Sequence, residues 1–124
     1  MVDDNVDVAT MTALLLQEYG CKTAVAYSGE VALKVALRFQ PNVVFIDLRM
    51  SDEDGCDILA AVRRLDGPVA TAFCVCVTGE DTPEVRARCL AAGFDLFVSK
   101  PIETSALQRV LAEAQVRAAM SGES

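Results

Sequence analysis

The 124-residue sequence contains no histidine and no tryptophan. Without histidine it cannot build a Ser-His-Asp or Cys-His nucleophile from its own residues, nor carry a phosphohistidine itself. No apolar run approaches the ~20 residues that span a bilayer, and no signal-peptide pattern precedes the acidic start. Positive charge is scarce: 11 Lys and Arg against 18 Asp and Glu give a formal net charge of −7, which repels a nucleic-acid backbone. The expectation is a cytoplasmic protein with no membrane segment and no direct nucleic-acid binding. The five cysteines are an odd number, with no C-x-x-C and no Cys/His cluster, so neither a disulfide framework nor a zinc site is expected. Cys74 and Cys76, two apart in a strand-like run, read as small buried hydrophobes before they read as a redox pair.

What is present is a 52% hydrophobic chain of a length that makes one domain with one core. Its chemistry has to run on carboxylates, hydroxyls and lysine. Apolar residues at helical spacing (Val8, Met11, Leu15, Tyr19) predict a helix from Asn5 to Tyr19, ended by Gly20. Thr23 to Ala26 reads as a short strand. Ser28 can cap a second helix with the stripe Ala32, Val35, Ala36 and Phe39, stopped by Pro41. The run VVFID (43–47) is a strand that ends on an acid, and Ile58, Leu59, Val62 and Leu65 mark a third helix before Gly67-Pro68. FCVCV (73–77) is another fully apolar strand. Thr82 and Pro83 then open a helix that carries Val85, Cys89 and Ala92 and stops at Gly93. LFVS (96–99) is the last strand, Leu107, Val110, Leu111 and Ala114 line the closing helix, and 120–124 read as a disordered tail after a domain spanning 1–119.

Strands alternating with helices imply parallel βα units, and apolar runs without alternation suit strands covered on both faces. The fold class is therefore α/β: a doubly wound parallel sheet of five strands with five helices. In such sheets the ligand site lies beyond the carboxyl ends of the strands. Asp3 and Asp4 follow the first, stubby strand and Asp47 ends the third. Thr78 ends the fourth, and Ser99-Lys100 the fifth. Three carboxylates a few ångströms apart repel by ~4 kcal/mol per close pair at an effective dielectric near 20. Either a proton is retained or a divalent cation neutralises them. Oxygen-only ligands suit Mg2+, Lys100 and Thr78 can contact phosphoryl oxygens, and a carboxylate can itself be the nucleophile in phosphoryl transfer. Relief of that repulsion predicts that replacing Asp4 stabilises the metal-free fold.

Taken together, VDDN (2–5), VVFIDLRMSDEDG (43–55), VTGE (77–80) and FVSKPI (97–102) resemble the receiver domains of two-component response regulators. The resemblance implies a flavodoxin-like strand order, 2-1-3-4-5, with Asp47 as phosphoacceptor. It implies Mg2+ held by Asp3, Asp4, Asp47 and the backbone carbonyl of Arg49, with Thr78 and Lys100 on the phosphoryl group. Thr78 and Phe97 would form the switch, and the Lys100-Pro101 peptide would be cis. The implied partners are a histidine kinase or histidine phosphotransfer protein and a downstream effector that meets the face formed by the fourth helix, fifth strand and fifth helix.

Two departures from the family pattern stand out. Ser51 replaces a common proline, which predicts a looser loop after Asp47, and Arg49 and Glu80 either bridge across the pocket or point into solvent. The larger departure is the first strand, apparently truncated: only Met1 and Val2 precede the acid pair. The expectation is that the functional chain begins upstream, or that another segment fills the slot. Two other function classes bear comparison. A haloacid-dehalogenase-type phosphatase would want D-x-D, and Asp47-Leu48-Arg49 puts a cation where its second acid belongs. A degenerate receiver, acting only as a phosphorylation-independent binding module, would generally have lost an acid or the lysine.

Overall fold

Four of the five helices begin where a short polar side chain can accept a bond from the free amides of the first turn. In the computed structural model, which describes residues 1–120, Asn5 accepts from Val8 at the start of α1 (Val6–Glu18) and Ser28 from Val31 at the start of α2 (Gly29–Phe39). Asp54 and Thr82 do the same for α3 (Gly55–Val62) and α4 (Pro83–Ala92). The fifth helix, α5, runs from Thr104 to Met120. The strands are β1 (Val43–Asp47), β4 (Phe73–Thr78) and β5 (Leu96–Ser99), with β2 (Arg49–Met50) and β3 (Glu53–Asp54) forming a two-residue antiparallel hairpin after β1.

β1, β4 and β5 pair in parallel in that order, in the register Asp47 to Val77 and Thr78 to Ser99. Where five regular strands are expected, the first two are reduced to single bridges: Val2 pairs with Ala26 on one side and Ile46 on the other. The lateral order 2-1-3-4-5 therefore survives, although only three of its strands are regular. The stub makes full use of its length. Val2 donates to Phe45 O (2.8 Å) and accepts from Asp47 N–H (2.9 Å); Asp3 N–H reaches Ala26 O (3.1 Å) and Met1 O accepts from Ala26 N–H (3.0 Å). The Met1 ammonium donates to Ala24 O at 3.0 Å, and burial pushes its pKa down to about 6.

Two apolar cores cover the sheet. α2, α3 and α4 lie over one face, around Ile46, Cys76, Leu59 and Cys89; α1 and α5 lie over the other, around Phe45, Val75, Leu16 and Leu107. The buried face of α1 is not the predicted stripe but Ala9, Thr12, Ala13 and Leu16, with Met11 and Tyr19 exposed. Ala and Thr let the helix lie close to the sheet, Leu16 reaches into the core, and Met11, Leu14 and Tyr19 turn outward. α3 ends at Val62 rather than beyond Leu65, because the Arg63 guanidinium bonds Ala70 O and Ala72 O and ties the chain to the approach to β4. Phe39 is exposed, and α2 ends on Gln40 in the left-handed region, one residue before Pro41. Met120 closes α5 instead of opening a tail, and 121–124 lie outside the described residues.

The cysteines follow the expected pattern: all five are free, and Cys74, Cys76 and Cys89 are fully buried. The sulfurs of Cys76 and Cys89 sit 2.8 Å apart. Burial pushes the Cys74 and Cys56 thiols up to about 11 and Cys76 higher still.

Candidate functional site

The stub that completes the sheet also delivers its acids. Asp3 follows Val2 directly and is fully buried, and Asp47, the last residue of β1, is 4% exposed. Asp4 lies at the surface. One carboxylate oxygen from each of the three lies within 4.8 Å of the others. Lys100, just past β5, reaches both buried acids, 3.0 Å from Asp3 Oδ2 and 3.2 Å from Asp47 Oδ2. Its own backbone N–H bonds Thr78 O at 2.8 Å, and the following bond to Pro101 is cis. Gly55 holds α3 against this floor: a Cβ there would stand 2.5 Å from Asp47 O. Only glycine admits the approach.

The electrostatics are uneven. Burial, and then the charge of Asp3, raise the Asp47 carboxyl to about pKa 6, with Lys100 pulling the other way. Burial opposes the Lys100 charge, but Asp3 and Asp47 together outweigh it and hold that pKa above its usual value. Asp3 Oδ1 accepts from Asn5 N–H at 2.9 Å, whereas its buried Oδ2 faces the Lys100 ammonium at 3.0 Å. Asp4 is pushed the other way, below the usual carboxylate range, by the Ser51 backbone N–H and then the Ser51 hydroxyl. These donate to the same oxygen at 2.8 and 2.7 Å. Two expectations change here. Ser51 does not loosen the loop; it ties the β2–β3 turn to Asp4, which proline, lacking an N–H, could not do. The repulsion in the pocket centres on Asp47 rather than Asp4, so replacing Asp4 is not expected to stabilise the fold.

The remaining predicted residues lie on β2, β4 and β5. Thr78 Oγ1 accepts from Glu80 N–H at 3.0 Å, which leaves its hydroxyl proton free to donate. Phe97 is half-buried on the strand beside it, with Arg86 stacked over its ring at 5.0 Å. Asp81 holds Arg86 through two hydrogen bonds and accepts one from Ser99. The Arg49 side chain settles the open question about its direction: it bridges to Glu80 at 2.8 Å. Both ends are well exposed, so the bridge is worth ~0.2–1 kcal/mol. Arg49→Ala should therefore shift the melting temperature by no more than a few degrees in a thermal scan. The roles of Ser51 and Asp81 were missed. Ser51 acts on Asp4, 47 residues away, and Asp81 joins Arg86, five residues on, to Ser99, 18 residues on, so no single local spacing signals them.

A three-layer doubly wound α/β domain with an acidic pocket at the carboxyl ends of its strands belongs to the flavodoxin-like class. Within that class, the sequence pattern of the response regulator receiver domain matches residues 1–112, and the chain belongs to that family. It is 32% identical over 101 residues to the probable transcriptional regulatory protein TcrX of Mycobacterium tuberculosis, covering 82% of this chain and 42% of that protein. It is 30% identical over 114 residues to the transcriptional regulatory protein ZraR of Salmonella typhimurium, covering 92% of this chain and 25% of the relative. The chain thus spans less than half the length of both relatives. The crystal structure of the chemotaxis protein CheY4 of Vibrio cholerae superposes with a TM-score of 0.83 at 26% identity, covering 91% of this chain and 93% of that one. No helix among the described residues is long and apolar enough to cross a membrane.

Proposed function

We propose that this receiver domain accepts a phosphoryl group on Asp47 from a phosphohistidine of a histidine kinase or histidine phosphotransfer protein. The observation that carries the reading is the Asp47 carboxylate at a strand end, clamped by Lys100 and faced by the buried Asp3. In the transfer, an Asp47 oxygen bonds to phosphorus as the phosphorus–nitrogen bond of the donor breaks. The electron pair returns to the donor imidazole, which takes up a proton. Lys100 neutralises one phosphoryl oxygen and the Thr78 hydroxyl donates to another.

The donor set suits Mg2+, since three carboxylates converge with one oxygen from each within 4.8 Å of the others. Asp3, Asp4, Asp47 and the Arg49 carbonyl would hold the ion, which when bound offsets charge on the phosphoryl oxygens and on the acids. Thr78 and Phe97 form the switch. In the β4–β5 register Phe97 stands opposite Cys76 and Ser99 opposite Thr78, so Thr78 and Phe97 are diagonal neighbours on one face of the sheet. Movement of Thr78 toward the phosphoryl group frees room for the ring and breaks its stack with Arg86. The α4–β5–α5 face then changes shape for an effector.

Incubation with acetyl phosphate and Mg2+ should add one phosphoryl group per chain by mass spectrometry, and Asp47→Asn should abolish it. Full stoichiometry in the Asn variant would refute the assignment. Retention of all three acids and the lysine favours this reading over a phosphorylation-independent binding module.

A further inference from the structure

Phosphoryl chemistry at Asp47 leaves three thiols unused on one face of the sheet: Cys76 on β4, Cys89 on α4 and Cys56 on α3. Cys76 and Cys89 are fully buried in the same apolar core, and one S–H donates to the other sulfur at 2.8 Å. Sulfur is a weak donor and a weak acceptor, so this contact is a poor hydrogen bond. It is also within about an ångström of the separation at which two sulfurs bond covalently. Cys76 is fixed in place, since its strand is paired on both sides, with Ile46 opposite on β1 and Phe97 on β5. Cys89 belongs to an outer helix, which can make the small approach. The other thiols are placed less well for Cys76. Cys74 stands two residues back on the same face of β4, ~6.6 Å along the strand, where its N–H bonds Asp95. Cys56 is half-buried and near enough for charge on it to be felt at the pair.

We propose that Cys76 and Cys89 form an oxidative modification site, which a peroxide converts to a disulfide across the boundary between β4 and α4. One member of the pair, as its thiolate, attacks a peroxide oxygen. The O–O bond breaks, the sulfur becomes a sulfenic acid, and the departing hydroxide takes up the proton that the thiol released and leaves as water. The second thiol then attacks this sulfur, the S–O bond breaks and another water leaves. Two thiols are thus oxidised by two electrons while one peroxide is reduced to two waters. Burial acts on both halves of the sequence. It slows the first, because an apolar core disfavours the attacking thiolate. It favours the second, because a partner already in contact intercepts the sulfenic acid before another peroxide can carry it to sulfinic acid. A bulky thiol cannot easily reach the finished bond to reduce it. The link would tie α4 to the strand that ends in Thr78, directly behind the α4–β5–α5 face. Its formation does not depend on phosphoryl acceptance by Asp47.

The test exposes the reduced chain to hydrogen peroxide, once in buffer and once in urea, and digests each product with pepsin at low pH, where thiol exchange is arrested. In buffer, mass spectrometry should find the Cys76 peptide joined to the Cys89 peptide as the main cross-link, and dithiothreitol should separate them. In urea the contact is lost, and the five cysteines should pair without that preference. Cys74→Ala and Cys56→Ala should each leave the Cys76–Cys89 link in place. The linked chain should melt roughly 5 °C or more above the reduced one. Its amides from Val85 to Cys89 should exchange about tenfold or more slowly. A main cross-link through Cys56, or the same mixture of partners in buffer and in urea, would overturn the pairing. Oxygen gained at Cys21 and Cys56 with no cross-link at all would show that the buried pair only fills the core. Equal exchange in linked and reduced chains would show that the bond does not restrain α4.

Discussion

Lys100→Met should cost the folded domain about 2–3 kcal/mol at neutral pH, a large share of the ~5–15 kcal/mol that holds such a domain together. Lysine contributes here by charge more than by packing, and methionine keeps most of the apolar stem. Its ammonium lies 3.0 Å from Asp3 and 3.2 Å from Asp47, with only 26% of its side chain exposed. Taking it away leaves two buried carboxylates facing each other. Removing one partner of a fully buried pair costs ~3–5 kcal/mol, and solvent at the Asp4 side of the pocket reduces that figure. Because the folded-state pKa of Lys100 is raised, its contribution is complete below the unfolded value of 10.5 and is lost as pH rises through the higher folded one. At the acid end the gap between wild type and variant should narrow below about pH 6, where Asp47 takes up a proton. Urea unfolding across pH 4–9 measures this directly. A variant as stable as the wild type at pH 7 would show that the two acids are held by something other than Lys100.

Asp47→Asn should act in the opposite direction and stabilise the metal-free fold by about 1–2 kcal/mol at pH 7, once the shift is discounted for screening. The folded chain holds the Asp47 proton up to about pH 6, whereas the unfolded chain releases it near 3.8. Between those values the native state binds the extra proton, so ionising Asp47 erodes stability as pH rises from 3.8 to 6, and the loss is complete above 6. Asparagine never ionises. The difference between the two proteins should therefore be full above pH 6 and vanish below about 3.8. Thermal melts without divalent ions at pH 4 and pH 7 are sufficient, and an Asn variant less stable than wild type at pH 7 would mean that Lys100 more than offsets burial.

The opposite signs of these effects bear on what the sequence reveals. Helix starts were legible at Ser28 and Thr82 because a cap and its amide lie within three residues of each other. The long strands were legible because burial on both faces leaves an uninterrupted apolar run. The pocket was legible because each of its acids, its threonine and its lysine sits at the end of such a run. The β2–β3 hairpin was not, since two-residue strands leave no period to detect. Ser51 donating to Asp4, 47 residues away in sequence, and the Glu53 carboxylate accepting from Gly29 N–H across 24 residues are set by how layers meet. The buried face of α1 is not legible from large side chains, because Ala9 and Ala13 fit where the helix approaches the sheet.

The buried thiols give this molecule an internal clock. Cys74, Cys76 and Cys89 have no exposed surface, and an alkylating reagent attacks the thiolate, which burial suppresses at Cys74 and Cys76. Half-buried Cys21 and Cys56 are within reach of the reagent while the domain stays closed, with Cys56 slowed by its raised pKa. The other three can be consumed only when β4 and α4 come apart, so the slow phase of alkylation counts openings between β4 and α4. No dye or engineered label is needed. Any ligand that closes the pocket would register as a slower loss of three native sulfurs.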